Sequence, residues 1–203
     1  MLNFYLKIKD LWHINVFGKI EAKEGFIMNE KLKNSDDRNS ENFNRGFDEK
    51  LPMVVGNLLI EKNLSISCAE SCTGGMFAQT LTDISGISAV FDRGIVTYSN
   101  AAKMEELGVK KATLDKYGAV SEQTAVEMAE GIQRVSKTRI GVSVTGVAGP
   151  GGGSIEKPVG LVYVCAVYDD QKICRELRLQ GDRKSNRTIS MLTMFELVKE
   201  LIE

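Results

Sequence analysis

Residues 64–81 read LSISCAESCTGGMFAQTL, and this stretch decides the fold. An apolar run from Leu64 to Cys68 leads into a polar turn with two glycines, and an amphipathic run from Met76 to Leu81 leads out of it. That order predicts a strand, a tight turn and the start of a helix. At such a junction the side chain at the strand end is exposed, and backbone N–H groups of the helix N-terminus point toward it.

Ser71 lies in this turn and has two interpretations. A serine held beside those N–H groups can act as a nucleophile with an oxyanion site next to it. It can equally be a polar residue that caps the helix, with the following glycines allowing close packing. Cys68 to Gly75 by themselves leave both interpretations open.

The histidine content limits how Ser71 could be activated. The chain has one histidine, His13, in an N-terminal segment without other signs of chemistry. A Ser-His-Asp triad needs a histidine beside the serine. An activated Ser71 would therefore use a lysine, a tyrosine or a carboxylate as its base. The same scarcity argues against a histidine-rich metal site, and we expect neither a metal nor a cofactor.

The bulk composition suits a water-soluble protein with one domain of ordinary size and an additional segment. The chain has 203 residues, of which 43% are hydrophobic and 26% charged, and its formal net charge is −1. We therefore expect no nucleic acid and no membrane as a partner. No apolar run reaches the roughly 18 residues of a membrane span, and no secretory signal pattern is present. The four cysteines lack a zinc-site pattern, so we expect a reduced, cytoplasmic protein.

Two segments of different composition are predicted. Residues 1–48 include a polar, highly charged stretch from Asn29 to Asp48, so we expect a poorly ordered N-terminal extension or linker. Residues 49–203 are regular in pattern and are expected to form one domain. Helices alternate with strands there, and a hairpin turn is expected at Asp169-Asp170. This pattern predicts an α/β fold, a three-layer α/β/α sandwich with a mixed, mostly parallel sheet.

The predicted elements follow from apolar periodicity and capping residues. Asn100 and Ser121 are predicted to cap two of the helices. The helix after Ser121 has an apolar stripe that comprises Ala125, Met128, Ala129, Ile132 and Val135. Helices are predicted over 50–62, 73–83, 101–107, about 121–135 and 183–202, and strands over 64–68, 93–98, 140–145, 161–167 and 173–179.

A second strand-to-helix junction spans Tyr98 to Lys103. A lysine near a helix N-terminus is electrostatically misplaced, and partial burial would favour its neutral form. A neutral Lys103 could take the proton of a serine hydroxyl, and Tyr98 could relay that proton or position the lysine. The alternatives are a solvated surface lysine and a half-buried tyrosine that only packs.

A glycine-rich loop follows the strand predicted over 140–145, and it includes Gly146 and Gly149. Its backbone amides could approach a phosphate or an oxyanion closely, or the loop could be a flexible connection. It has neither a Walker A ending nor a Gly-x-Gly-x-x-Gly pattern that opens a helix. Thr145, like Ser71 and Tyr98, falls at the carboxyl end of a strand, where the sites of α/β proteins gather.

Further charged residues lie near predicted turns. Arg183 begins the last predicted helix, where it could bind a phosphate together with helix amides. Alternatively it is solvated and follows Asp182, which caps the helix. Glu70 and Asp92 could orient an amine or a substrate hydroxyl, or could be structural hydrogen-bond acceptors.

Taken together, these segments resemble the CinA C-terminal domain family, whose close relatives are the nicotinamide-nucleotide amidohydrolases, also called NMN deamidases. The resemblance runs in order from about residue 50 to the C-terminus. It is carried by AESCTGG at 69–75, GIVTYSNAAK at 94–103, GAVS at 118–121, TGVAGP at 145–150, KPVG at 157–160 and GDR at 181–183.

The resemblance implies a metal-free Ser/Lys hydrolase that converts the carboxamide of nicotinamide mononucleotide into a carboxylate, giving nicotinate mononucleotide and ammonia. In this implied site Ser71 is the nucleophile, Lys103 is its base and Tyr98 assists proton transfer. Arg183 holds the nucleotide phosphate, and Thr145 helps to place the substrate or its oxyanion. The implied substrate-binding set comprises Thr73, Gly74, Gly75, Asn100, Thr145, Gly146, Gly149 and Arg183.

The resemblance also implies a homo-oligomer, a dimer or larger, that binds a small-molecule nucleotide. Full-length family members carry an N-terminal domain that resembles molybdopterin-binding proteins and is associated with ADP-ribose pyrophosphatase activity. Residues 1–48 do not resemble that domain, so the resemblance does not extend to the pyrophosphatase activity. One alternative is a nucleotide-binding or competence-associated interaction module without turnover. Another is a Cys72 nucleophile, which lacks a histidine partner and is expected to point away from Ser71's side of the turn.

Overall fold

The computed structural model describes residues 12–14, 20–22 and 50–203. The chain divides into two units, Met1–Arg38 and Asn39–Glu203. In the first unit, strands β1 (Trp12–Ile14) and β2 (Ile20–Ala22) pair as an antiparallel ribbon. The predicted linker over 29–48 lies outside the described residues.

The described part of the second unit contains one five-stranded sheet in the order β4-β3-β5-β6-β7. Strand β3 is parallel to both β4 and β5, and the pairs β5-β6 and β6-β7 are antiparallel. The predicted mixed sheet is therefore confirmed, with its parallel pairs at the β4-β3-β5 end. The strands are β3 (Ile66–Glu70), β4 (Phe91–Val96), β5 (Ile140–Gly146), β6 (Leu161–Tyr168) and β7 (Gln171–Arg178).

Six α-helices and a short 3-10 helix at Ile87–Ala89 accompany this sheet within residues 50–203. Five of the helices match predicted ones, and α4 was not predicted because its short sequence has no clear apolar stripe. The helices are α1 (Leu51–Glu61), α2 (Met76–Thr82), α3 (Asn100–Leu107), α4 (Lys111–Tyr117), α5 (Glu122–Ser136) and α6 (Arg183–Ile202). None of the helices in the described residues is long and apolar enough to cross a membrane.

The helices cover both faces of the sheet, which confirms the three-layer α/β/α prediction. Alternating residues of β3, such as Ile66 and Cys68, face the side covered by α1, α2 and α6. On that side Phe77 of α2 and Phe195 of α6 contact each other, with ring centroids 4.3 Å apart. The opposite face packs against α3, α4 and α5, with Ala69 of β3 among its buried residues. This burial of apolar area on two faces is the main source of stability.

Local sequence signals place several helix ends correctly and one incorrectly. Ser121 caps α5 as predicted, because its hydroxyl accepts from the Thr124 amide at 3.3 Å. The cap of α3 is Ser99, which accepts from the Ala102 amide at 3.0 Å, so the prediction that Asn100 is the cap was wrong. Serine and asparagine cap equally well, and the chain enters the helix one residue earlier than predicted.

The predicted apolar stripe of α5 is buried at its first four members but not at its last. Val135 is 40% exposed, whereas Ser136 is 9% exposed. Ser136 lies four residues after buried Ile132 and takes the inward position, since residues i and i+4 share a helix face. The stripe therefore ends on a small polar residue.

We expect Gly131→Ala to lower the free energy of unfolding by about 1–3 kcal/mol, the usual cost of overpacking. A Cβ atom at Gly131 would lie 2.2 Å from the Leu107 carbonyl oxygen, where α5 crosses the end of α3. This clash outweighs the gain of up to about 1 kcal/mol from replacing a helical glycine. Urea unfolding measures the change. Gly151→Ala is the control, because a Cβ atom there meets nothing within 4 Å. An unchanged or higher urea midpoint for Gly131→Ala would contradict the predicted packing.

Candidate active site

Ser71 is the first residue after β3, at the carboxyl end of the parallel strands. Its amide donates to the Val144 carbonyl at 3.1 Å, which ties the start of the turn to neighbouring β5. Its side chain is nearly buried, with the residue 8% exposed. Because β3, β4 and β5 are parallel, the residues that follow each of them gather at one edge of the sheet.

Lys103 reaches Ser71 from the first turn of α3. The Lys103 Nζ atom lies 3.1 Å from the Ser71 Oγ atom and donates to the Thr97 carbonyl at 2.7 Å. The residue is 1% exposed, and this burial lowers the pKa of the Lys103 amine because the charged form loses its hydration. A buried amine with a lowered pKa, in contact with a serine hydroxyl, is the arrangement in which lysine acts as a general base.

Glu70 is a structural hydrogen-bond acceptor inside the turn. This 1% exposed carboxylate accepts from the Thr73 hydroxyl at 2.6 Å and from the Gly75 amide at 3.0 Å. It also accepts from the amides of Phe77 and Ala78 at 3.2 and 2.9 Å. The negative charge therefore occupies the N-terminus of α2, where helix amides would otherwise be free. Of the two roles left open for Glu70, the structure supports the structural one.

The hydrogen bonds that Thr73, Gly74 and Gly75 donate stay within this turn, and the predicted role of these residues in substrate binding stays a prediction. The Thr73 hydroxyl and the Gly75 amide donate to Glu70, and the Gly74 amide donates to the Ser71 carbonyl at 3.2 Å. Gly74 and Gly75 have φ angles of 63° and 95°, which glycine adopts without strain, so they shape the turn. None of the three lines the cavity beside Ser71, and neither does exposed Asn100.

A cavity of about 250 Å³ opens beside the Ser71–Lys103 pair. Seven predicted site residues contribute to its lining, together with Cys72, weighed above as an alternative nucleophile, and four further residues of the glycine-rich loop. Ala119 and Val120, for which no role was predicted, also line it. Ala119 and Val120 belong to the GAVS segment between α4 and α5, so the family resemblance was the available signal for them. The seven are Ser71, Tyr98, Lys103, Thr145, Gly146, Gly149 and Arg183.

Tyr98 lines the same cavity as Ser71 and Lys103, and its hydrogen-bond partner is Arg183. Its side chain is 64% exposed, and its hydroxyl accepts from the Arg183 Nη2 atom at 3.3 Å. Within residues 50–203, no hydrogen bond joins Tyr98 to Ser71 or Lys103. The predicted role of Tyr98 in proton transfer stays a prediction.

Arg183 carries the positive charge at the cavity wall. Its Nη1 atom donates to the Gly149 carbonyl at 2.7 Å, so it bridges the glycine-rich loop and Tyr98. No carboxylate in the described part of the chain lies within ion-pairing distance of Arg183, so its charge is available to an anion. Asp182 caps α6, because its side chain accepts a hydrogen bond from the Ser185 amide at 2.7 Å. This cap was predicted in the alternative interpretation of Arg183.

The glycine-rich loop is fixed by buried polar side chains. Asn186 is fully buried, donates to the Ala148 carbonyl at 3.1 Å and accepts from the Gly181 amide at 3.0 Å. Thr145 is 1% exposed, and its hydroxyl donates to the Ala119 carbonyl at 2.8 Å. These hydrogen bonds within the protein fix the position of the cavity wall.

Cys72 is a buried thiol rather than an activated one. Burial raises the pKa of Cys72 to about 12, which outweighs the opposite effect of the nearby Lys103 and Arg187 charges. Cys72 lines the same cavity as Ser71, contrary to the expectation that it points away. A cysteine nucleophile must be a thiolate, so the raised pKa of this thiol argues against the alternative of a Cys72 nucleophile. In the described residues, no three His, Cys, Asp or Glu side chains come together as a set of metal ligands.

The fold and site define an α/β protein with a buried serine–lysine pair at the carboxyl edge of its parallel strands. The chain belongs to the CinA family, because the model of the CinA C-terminal domain matches residues 48–202.

Relatives and solved structures agree with this assignment. A competence-damage inducible protein of Acetivibrio thermocellus is 54% identical over 155 residues, which are 76% of this chain and 38% of that protein. The chain therefore matches well under half the length of this relative. The structure of the competence/damage inducible protein CihA from Agrobacterium tumefaciens is 44% identical, with a TM-score of 0.74, over 76% of this chain and 95% of that one. A CinA superfamily protein from Klebsiella pneumoniae is 31% identical, with a TM-score of 0.73, over 75% and 96%.

Proposed function

We propose that this chain hydrolyses the carboxamide of nicotinamide mononucleotide to nicotinate mononucleotide and ammonia. The observation that carries the proposal is the 3.1 Å separation of the Lys103 Nζ and Ser71 Oγ atoms in a buried site. Membership of the CinA family and a cavity beside this pair support it. The whole relatives are longer than this chain, so the proposal concerns the matched domain alone.

The proposed reaction has two halves that use the same pair. Neutral Lys103 takes the proton of the Ser71 hydroxyl as the oxygen attacks the carboxamide carbon, and the carbonyl oxygen becomes negative. When this intermediate collapses, Lys103 returns the proton to the amide nitrogen, and the C–N bond breaks. Ammonia departs, and the acyl group stays bound to the Ser71 oxygen as an ester. Water then attacks the ester with Lys103 as its base, which releases the carboxylate and restores the serine.

Arg183 is proposed to bind the phosphate of the substrate. Among the described residues, its guanidinium has only neutral hydrogen-bond partners, the Gly149 carbonyl and the Tyr98 hydroxyl. A phosphate has charged oxygens, two of which can accept from the planar guanidinium group at once. Such charge-assisted hydrogen bonds are stronger than those to the neutral partners. The amide end of the nucleotide would then lie toward Ser71, since both residues line one cavity.

The direct experiment measures ammonia release by the purified chain. We expect release from nicotinamide mononucleotide and much slower release from nicotinamide riboside, which has no phosphate for Arg183. Absence of ammonia from nicotinamide mononucleotide after hours at high enzyme concentration would refute the proposal.

We expect kcat/KM to rise with pH, with the rise on the acid side of the profile, its acid limb, controlled by a single ionisation. Protonated Lys103 cannot accept the serine proton, so the active fraction grows as the pH rises through the pKa of this amine. Burial lowers that pKa, so the limb should lie below the ordinary range of lysine. A pH profile of kcat/KM from pH 5 to 10 measures it. A limb at the pKa of an ordinary carboxyl group would contradict the assignment of Lys103 as the base.

A second candidate is a nucleotide-binding module without turnover. It is favoured by the names of relatives, which refer to competence and damage rather than to an enzyme. Calorimetry that shows binding of nicotinamide mononucleotide, combined with no product, would select this candidate.

The predicted homo-oligomer and the predicted cytoplasmic location stay predictions. Size-exclusion chromatography with light scattering tests the oligomeric state.

A further inference from the structure

Arg187 contacts the turn that carries the nucleophile. It lies on α6, one helical turn after Arg183, and its Nη2 atom donates to the Thr73 carbonyl at 2.5 Å. Hydrogen bonds with a charged donor are stronger than neutral ones. Arg187 does not line the cavity, so its contact with the turn is not a contact with the proposed substrate.

The turn between β3 and α2 is therefore held from three directions. Val144 accepts from the Ser71 amide, Glu70 accepts from donors on the far side of the turn, and Arg187 donates to the Thr73 carbonyl. Thr73 is two residues after Ser71, so movement of its peptide group would move the serine. Proton transfer to Lys103 requires the present separation of about 3 Å, and a displacement of 1 Å can cost about a hundredfold in rate.

Stability alone does not explain an arginine at this position. The Arg187 Nε atom is buried and has no hydrogen-bond partner among the described residues. An unsatisfied buried donor is destabilising, and an apolar side chain of similar length would avoid that cost. No carboxylate in residues 50–203 pairs with Arg187 either, so its charge is not neutralised by an ion pair.

The charge of Arg187 also acts on the turn. Burial dominates the raised pKa of the Cys72 thiol, but the Arg187 guanidinium favours the ionised form of that thiol. Cys72 is the neighbour of Ser71, so the positive charge of Arg187, which contacts the Thr73 carbonyl, reaches the turn that carries the nucleophile. Preorganised positive charge near a developing oxyanion is a major contribution to catalysis in enclosed sites.

We infer that Arg187 is a positioning residue for the reaction at Ser71: it fixes the nucleophile turn through the Thr73 carbonyl and keeps a positive charge beside it. This inference rests on the proposed function, because it assigns Arg187 to the same reaction. It separates the two arginines of α6 by role. Arg183 binds substrate at the cavity wall, and Arg187 supports the nucleophile from outside the cavity.

The first test compares steady-state kinetics of Arg187→Gln, Arg187→Lys and Arg183→Gln. We expect Arg187→Gln to lower kcat by about 10- to 100-fold, the scale of a misplaced nucleophile, with little change in KM. Arg187→Lys keeps the charge and a donor for Thr73, so it should recover most of the lost rate. Arg183→Gln should mainly raise KM, because it removes a contact to bound substrate.

Thermal unfolding separates positioning from a merely structural role. We expect Arg187→Gln to unfold within a few degrees of wild type while its kcat is reduced. Two results together would overturn the inference. The kcat and the unfolding temperature of Arg187→Gln would both fall, and the kcat of Arg187→Lys would be no higher than that of Arg187→Gln. The rescue by lysine keeps the test decisive even if the glutamine variant folds poorly.

The second test does not depend on the substrate. An alkyl fluorophosphonate reacts with an activated serine, because the serine oxygen bonds to phosphorus and fluoride leaves with the serine proton taken up by the base. Mass spectrometry measures the rate at which Ser71 is labelled. We expect labelling of Arg187→Gln to be slower by about the same 10- to 100-fold as kcat. Lys199→Gln is the control, since it removes a charge from the far end of α6, where Lys199 pairs with Glu203.

The two tests distinguish failure of the inference from failure of the proposed function. Labelling of Arg187→Gln at the wild-type rate would overturn the role of Arg187 whatever the substrate is. Labelled wild type that releases no ammonia from nicotinamide mononucleotide would overturn the proposed substrate, and slower labelling of Arg187→Gln would still support its role. Wild type that is neither labelled nor active would refute both.

Discussion

Replacing Ser71 with alanine is expected to lower kcat for ammonia release by on the order of 10⁴-fold or more, the scale seen when a catalytic nucleophile is removed. The alanine variant lacks the oxygen that is proposed to attack the carboxamide, and the neighbouring Cys72 thiol has a raised pKa and is not activated. The fold should be retained, because the hydrogen bond from the Ser71 amide to the Val144 carbonyl does not involve the side chain. Initial rates of ammonia release, measured beside a urea unfolding curve, check both expectations.

Cys72→Ala is the matched control for Ser71→Ala. It changes the next residue of the same turn, and burial already raises the pKa of that thiol to about 12. We therefore expect Cys72→Ala to retain most of the activity. Full activity in Ser71→Ala would rule out the covalent mechanism, and loss of activity in Cys72→Ala alone would transfer the nucleophile role to the thiol.

Replacing Lys103 with methionine is expected to lower kcat by on the order of 10³- to 10⁴-fold, because it removes the base from both halves of the reaction. Methionine has a similar length and fits the volume of the buried side chain. The change removes an amine that is costly to charge in a site where the residue is 1% exposed, so stability should be little affected. Kinetics and urea unfolding of the same preparation measure the two effects.

Lys103→Arg provides the comparison that isolates the base. Arginine keeps a positive charge and hydrogen-bond donors but stays protonated at any pH of interest, so it cannot accept the serine proton. We expect it to be as inactive as Lys103→Met. Substantial activity in either variant would show that Lys103 is not the base.

Much of the fold could be predicted because its signals are local. The apolar run before Ser71 and the stripe of α5 predicted a strand and a helix, and both elements are present. Errors occurred where two local solutions were nearly equal in energy. Ser99 and Asn100 both cap helices well, and the stripe of α5 could continue at either Val135 or Ser136.

The candidate site was predicted less completely, because hydrogen bonds between distant segments decide which polar groups remain available. Thr73 and Gly75 were predicted to bind substrate, and in the structure both donate hydrogen bonds to Glu70. Tyr98 was expected to assist proton transfer, and its hydroxyl lies against Arg183, 85 residues away in sequence. No sequence pattern indicated a role for Arg187, because its hydrogen-bond partner is the Thr73 carbonyl, 114 residues away in sequence.

The sequence by itself determined the order of the five main strands and of all the main helices except α4. Through its single histidine, which lies outside residues 49–203, it also limited the chemical type of base that Ser71 could use. Both depend on the identity and spacing of residues, and these can be read without knowing which segments meet. Only the tertiary structure decided that Lys103, 32 residues after Ser71, lies 3.1 Å from its oxygen in a buried site. The pairing of strands and the packing of α3 set that distance, and burial lowers the pKa of the lysine.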